Sequence, residues 1–255
     1  MNIDQYLKRI KFSRSPKVDL KTLIELQHSH LKTVPFENLD IHFNNPIVLN
    51  IEHIYDKVIN KNRGGFCYEL NGLFYYLLYQ IGFKVKMISA QVYMKDGIYS
   101  DEFDHMGIIV DIEGVSYLVD VGFGKFSLSP LKIKIDTEIK DELGVFMFKK
   151  GEDYFTICEV ENGKVIPQYR FKEQERALLD FENMCNFHQT NLKSNFKKKI
   201  VVSILTETGR KTLNNNQFKL TSNDQVEVEE FDEKDFEKIL KKYFNMEVEK
   251  TKSRN

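Results

Sequence analysis

Three residue types that together can activate a thiol occur in order along the chain: Cys67, His105 and Asp120. Cys67 stands in Arg63-Gly64-Gly65-Phe66-Cys67-Tyr68-Glu69-Leu70-Asn71. From Phe66 onward Leu70, Leu73, Phe74, Leu77, Leu78 and Ile81 recur with a helical period, and Gly82 marks the stop. The cysteine therefore falls in a first helical turn, where unpaired N–H groups and the macrodipole favour a thiolate. Two glycines before it permit a sharp turn and leave the sulfur open. The other reading is a small apolar residue buried at a helix start, as free cysteines commonly are. His105 and Asp120 flank Glu113-Gly114, a hairpin signal. A two-residue loop pairs Ile112 with Val115 and sets His105 opposite Gly122. Asp120, two residues from Gly122, then shares the face of His105 as a diagonal neighbour. An aspartate in the apolar run Tyr117-Leu118-Val119-Asp120-Val121 needs a partner, and His105 is in reach. Singly, each fits a plain strand end. Together, a nucleophile, a base and an orienting acid are the parts of a cysteine triad.

The elements that must position these groups change character along the chain. Up to about Phe83 the pattern is helical. Asp4 is placed to cap a short helix carrying Tyr6, Leu7 and Ile10, and Asp19 to cap the next. Val34-Pro35-Phe36-Glu37-Asn38-Leu39 reads as a turn. Ile51, Ile54, Tyr55, Val58 and Ile59 make a third helix, and the Cys67 helix is the fourth and most apolar. After Gly82 the period becomes two. Strands are expected at 84–93, 105–112, 115–121, 146–148, 154–160 and 165–171, the last entered through Asn162-Gly163. A polar stretch from Lys172 to Asn195, helical around 176–184, crosses to a third part. That part has strands at 200–205 and 217–220 and an amphipathic helix through Phe236, Ile239, Leu240, Tyr243 and Phe244, expected to close over the site. The charged tail 247–255 reads as disordered. The expected division is 1–83, a helical bundle carrying the nucleophile; 84–185, a β-barrel carrying His105 and Asp120; and 186–255, an interdomain segment and lid.

The bulk properties narrow the function classes. A chain of 255 residues with 42% hydrophobic residues can bury a sizeable core. A net charge of −1 argues against nucleic acid or an anionic membrane as partner. Three cysteines at unrelated spacings make no disulfide framework, which points to a reducing compartment, the cytoplasm. No run approaches the ~18 apolar residues of a membrane span, and the N-terminus has no signal-peptide core. Cys185 and His188 are spaced like metal ligands, but no second pair completes a zinc site, so no metal is expected. Cys158 and Cys185 read as buried structural residues, and His28, His30, His42 and His53 as surface or satisfied core positions.

The Arg63–Asn71 stretch, His105, Asp120-Val121-Gly122-Phe123-Gly124 and Val34–Leu39 together resemble the signature of the arylamine N-acetyltransferases of bacterial type. The resemblance runs in order from about residue 5 to residue 130; the C-terminal half matches by element pattern. It implies an α+β fold: an N-terminal helical bundle, a central antiparallel β-barrel and a C-terminal α/β lid around a cysteine-protease-like Cys-His-Asp core. It implies Cys67, His105 and Asp120 as the triad, and Phe36, Val92 and Phe123 as the acceptor pocket, positions that plain core packing explains equally well. The implied reaction is ping-pong transfer from acetyl-CoA to an arylamine, arylhydrazine or N-hydroxyarylamine through an acetyl-cysteine. Arg63 is expected to hold the turn between lobes. No CoA-binding residues carry over. Candidates for the pyrophosphate are Gly124-Lys125-Phe126-Ser127, Lys193 and the run Lys197-Lys198-Lys199. A thiol hydrolase or transglutaminase-like acyltransferase orders the same triad and stands as the alternative. The physiological acceptor and the oligomeric state are not legible.

Overall fold

The structure is a computed structural model that describes residues 1–223 and 225–248. The expectation for the charged tail therefore falls, from residue 249 on, outside the described residues. The N-terminal part holds α1 (Ile3–Arg9), α2 (Leu20–Thr33), the two-residue strand β1 (Phe36–Glu37), α3 (Leu39–His42) and α4 (Ile51–Tyr55). A π-helical turn (Asp56–Asn60) leads from α4 towards α5 (Cys67–Ile81). Asp19 caps α2 as expected, its carboxylate 2.7 Å from Thr22 N. The cap of α1 is Asn2, not Asp4, because its side-chain oxygen meets Gln5 N at 3.1 Å and Asp4 lies inside the first turn. The Val34–Leu39 stretch is more than a turn, since β1 joins a sheet formed by the far end of the chain.

α5 is the axis of the molecule. Leu70, Leu73, Phe74, Leu77 and Leu78 are fully buried, and Gly82 ends the helix with a left-handed φ of 107°. One side of α5 meets the other helices; another meets the strands β2 (Lys84–Lys95) and β4 (His105–Ile112). The remaining strands of this part are β3 (Ile98–Tyr99), β5 (Val115–Val119), β6 (Leu131–Lys132), β7 (Glu138–Asp141), β8 (Gly144–Lys150), β9 (Phe155–Glu161) and β10 (Lys164–Phe171). They run antiparallel in the order β6-β5-β4-β2-β10-β9-β8-β7, with β3 beside β2. The Asp141 carboxylate accepts from Leu128 N and Ser129 N at 2.9 Å each and draws the two edges together. The result is a nearly closed barrel packed inside with Ile109, Leu118, Phe146, Phe148, Tyr169 and Phe171. Met106, Ile108 and Val110, the alternate residues of β4, face α5 instead.

A 3-10 turn (Leu178–Phe181) and α6 (Glu182–Thr190) lead back across the molecule. The helical stretch begins later than expected at 176. Asp180 accepts from Ala177 N at 2.8 Å, and only a 3-10 turn follows before the α-helix starts. α6 runs through the expected boundary at residue 185 and buries Cys185 in the core around α5. α7 (Asn195–Lys198) is followed by β11 (Val201–Leu205), β12 (Gly209–Asn214), β13 (Gln217–Ser222), β14 (Gln225–Glu230) and, after a short 3-10 turn, α8 (Phe236–Phe244). These strands and β1 form an antiparallel sheet in the order β1-β11-β12-β13-β14. β12 and β14 were not expected from sequence: β14 is exposed throughout and has no apolar face to announce it. α8 does not close over the site. Phe236, Ile239, Leu240 and Phe244 pack on Val202, Leu213 and Phe218, on one face of the sheet. The opposite-facing residues Val201, Ser203, Arg210 and Thr212 look into the main cavity.

Candidate active site

Cys67 is the first residue of α5. Its N-cap, Phe66, presents its own backbone N–H to Glu69 Oε2 at 3.1 Å. Glu69 is fixed from behind: Lys57 Nζ lies 2.8 Å from it and 2.7 Å from Asp40. Arg63 is buried, with Nη2 2.7 Å from Glu37 and 3.0 Å from Asp40. This ionic cluster ties the start of α5 to β1 and α3. Gly64 and Gly65 are required by closeness: a Cβ on Gly64 would sit 1.9 Å from the Pro35 carbonyl oxygen, and one on Gly65 2.8 Å from Glu69 Oε2. Gly122 is equally constrained, since a Cβ there would lie 2.8 Å from Cys67 Cα.

The hairpin between β4 and β5 has the expected register, with Ile112 opposite Val115 and Ile108 opposite Val119. Glu113 and Gly114 take φ of 52° and 78°, the two-residue turn with both central residues left-handed. His105 and Asp120 meet on one face just beyond the ladder, with His105 Nε2 2.6 Å from Asp120 Oδ2. An ionised carboxylate only accepts, so Nε2 carries the ring proton and Nδ1 is left with its lone pair free of a proton. Three further groups serve Asp120: Asn71 Nδ2 and Gly122 N each donate to Oδ1 at 2.9 Å, and the Tyr169 hydroxyl donates to Oδ2 at 3.0 Å. Burial acts to raise the Asp120 pKa, but the His105 ring and the donated hydrogen bonds outweigh it and hold the carboxyl below its ordinary value. Asn71 lies in the stretch singled out from sequence. Tyr169 carries no local signal; the barrel delivers it.

Cys67 and His105 line one cavity of about 1160 Å³, with Phe36, Val92 and Phe123 also in its wall. Asp120 lies beneath, out of the lining. Gly124, Lys125 and Lys193 reach the cavity as well, whereas Phe126 is in the barrel core and Ser127 is buried. Lys197, Lys198 and Lys199 are not in the lining. The thiol departs from the sequence expectation of a lowered pKa. Burial pushes Cys67 well above its ordinary value, and the carboxylates of Asp104 and Asp120 act in the same direction, against a hydrogen bond with the Met106 backbone. Burial and the neighbouring carboxylates thus work against the pull of the helix start on this thiol. Of the other cysteines, Cys158 is buried in β9, and none of the three is in a disulfide. His188 is buried with Asp104 and Ser194 as partners rather than with Cys185. No group of three His, Cys, Asp or Glu side chains among the described residues is arranged to hold a metal, and no described helix is long and apolar enough to cross a membrane.

An N-acetyltransferase family model matches residues 19–253. Human arylamine N-acetyltransferase 1 is 31% identical over 277 residues, covering 98% of this chain and 96% of that protein. The chain belongs to the arylamine N-acetyltransferase family. The pineal gland isozyme NAT-3 of Gallus gallus is also 31% identical, with the same coverage. Among solved structures, the arylamine N-acetyltransferase of M. smegmatis superposes with a TM-score of 0.88 at 28% identity, covering 97% of this chain and 93% of that one. That of M. tuberculosis gives 0.89 at 25% identity, with coverages of 97% and 94%. Membership of the arylamine N-acetyltransferases makes the chain an acyltransferase, and the mixed α/β architecture with its barrel is the one these relatives share.

Proposed function

We propose that this enzyme moves an acetyl group from acetyl-CoA to an arylamine, arylhydrazine or N-hydroxyarylamine, in two half-reactions through an acetyl-Cys67 intermediate. The observation that carries the reading is the 2.6 Å His105–Asp120 pair, whose His105 opens with the helix-start Cys67 into a single cavity. His105 Nδ1 takes the thiol proton, and Asp120 fixes the tautomer and stabilises the imidazolium. The Cys67 sulfur attacks the thioester carbonyl, the bond to the CoA sulfur breaks, and the imidazolium returns its proton to the departing thiolate. The acceptor amine then enters the same cavity and attacks the acetyl-cysteine, with His105 removing its proton. One site used in turn by both substrates gives ping-pong kinetics. Lys125, Lys193 and Arg210 line the cavity and match the charge of a pyrophosphate. Phe36, Val92 and Phe123 supply apolar surface for an aromatic acceptor. Three unpaired cysteines suit a reducing cytoplasm.

Release of CoA distinguishes this from the hydrolase or transglutaminase-like alternative. With acetyl-CoA alone the enzyme is expected to release one equivalent and stop; adding an arylamine is expected to start steady release. Continuous release without an amine would favour transfer to water instead.

A further inference from the structure

The cavity contains a second histidine–carboxylate pair that the steps above do not use. Asp104 Oδ1 lies 3.2 Å from His188 Nε2, and His188 Nδ1 lies 3.1 Å from Ser194 Oγ. Ser194 Oγ already accepts from Phe196 N at 3.2 Å, so its own proton is free to go to the ring. With Nδ1 as acceptor, Nε2 carries the ring proton and stands beside the Asp104 carboxylate at ion-pair distance, without an aligned hydrogen bond. The Tyr68 hydroxyl, 2.7 Å from the Phe103 carbonyl and 3.2 Å from that of Asp104, pins the backbone beneath. His188 and Ser194 are buried, yet the Asp104 side chain keeps 22% exposure and lines the cavity with Cys67 and His105. The carboxylate is thus met by His188 and by the Ser100 side chain and stays partly open to the substrate space.

Such a charge works against the first half-reaction. Asp104 opposes the Cys67 thiolate more strongly than Asp120 does. It suits the second half-reaction, where positive charge develops. As the acceptor nitrogen bonds to the acetyl carbon it becomes cationic. It stays so until its proton passes to His105 Nδ1 and on to the Cys67 sulfur as the C–S bond breaks. Resting on the acetyl-transfer reading above, we propose that Asp104 accepts a hydrogen bond from the attacking nitrogen and stabilises its positive charge, with His188 and Ser194 as the residues that position it. Asp104 is then a catalytic residue of amine acetylation and favours acceptors with N–H groups on a neutral nitrogen, such as hydrazines.

Single-turnover measurements separate the two steps. The acetyl-enzyme is formed with acetyl-CoA, freed of excess donor, and mixed with phenylhydrazine or aniline while intact mass follows both formation and loss of the acetyl group. Asp104→Asn keeps the shape of the side chain. It is expected to slow loss to the amine, relative to formation, by about 10- to 100-fold, the low end for an electrostatic group because the carboxylate is partly open to water. His188→Leu should reproduce the effect, and His188→Gln, which can still donate to Asp104, should largely restore the rate. A second readout is the pH at which Cys67 reacts with iodoacetamide. The groups acting on this thiol are Asp104, Asp120 and the Cys185 thiol, with His105 beside it as base and Tyr68 next in the chain; His188, Ser100 and His105 act on Asp104. Removing the Asp104 charge is expected to move alkylation to lower pH. Equal slowing of both half-reactions, or an alkylation profile that does not move, would overturn the proposal. Failure of the wild-type protein to form acetyl-Cys67 would instead overturn the transfer reading, and this inference with it.

Discussion

Two carboxylates with different surroundings act near His105. Asp120 is buried, bonded to the ring and served by Asn71, Gly122 and Tyr169; Asp104 is partly open to the cavity, stands beside His188 and opposes the Cys67 thiolate. Asp120→Asn retains the shape but loses the charge and admits the wrong tautomer. Turnover is expected to fall by roughly a thousandfold or more, by analogy with the serine triad. Because Asp120 acts on the imidazole more than on the thiol, its loss weakens the imidazolium, and iodoacetamide alkylation of Cys67 is expected to shift to higher pH, opposite to Asp104→Asn. A profile identical to wild type would make Asp120 a structural strand-end residue. His105 and Asp120 were legible because strand parity is binary: once Glu113-Gly114 fixes the turn, their faces follow. Asp104 and His188 were not, because 84 residues separate them and only α6, crossing back over the α5 core, brings them together. The direction of the thiol pKa is not legible in the helix start, because burial of Cys67 outweighs it and is set by the packing around α5.

At the scale of elements, the start of α5 depends on charges that sequence showed only as scattered residues. Two cations, Lys57 and Arg63, face three carboxylates, Glu37, Asp40 and Glu69, so the cluster has one negative charge in excess. Burial raises Glu69 from 4.5 to about 7 against the pull of Lys57, making it the member that takes up a proton. Its folded pKa lies above its unfolded one, so the folded state binds this proton more tightly. The stability from this linkage is complete at acid pH and is lost as pH rises through about 7. Urea midpoints measured from about pH 5 to about pH 8 should therefore fall more steeply for wild type than for Glu69→Gln, whose side chain does not titrate. Parallel curves would contradict the assignment. Elements with an apolar period, such as α5 and β4, could be read from sequence. β12 and β14 could not, because β14 is polar on both faces and β12 is made by its neighbours in the sheet. The role expected of α8 failed for a related reason: an apolar helix face shows that the helix docks, not on which face of which sheet.

Across the whole molecule, the cavity lies where three bodies meet. α5 brings the cysteine, the barrel brings His105 and Asp120, and the C-terminal sheet adds a wall through Val201, Ser203, Arg210 and Thr212. Arg210 links two of these bodies directly, donating from Nη1 to Ser203 Oγ at 2.9 Å and from Nη2 to the Gly124 carbonyl at 3.0 Å. The ionic cluster fixes β1 beside the start of α5, and β1 pairs with β11, so the first and third bodies meet although a β-barrel separates them in sequence. The order of the bodies was readable from the change in hydrophobic period; how they close on one another was not, because that depends on pairings such as β1 with β11 that no local pattern encodes. The central claim is that all three bodies converge on one sulfur that carries the acetyl group. Intact-mass and peptide analysis after mixing with acetyl-CoA tests it most directly. The account predicts one acetyl group on Cys67, discharged by added arylamine and absent from Cys67→Ser; no adduct, or an acetyl group on another residue that the Cys67→Ser protein retains and passes to the amine, would contradict it.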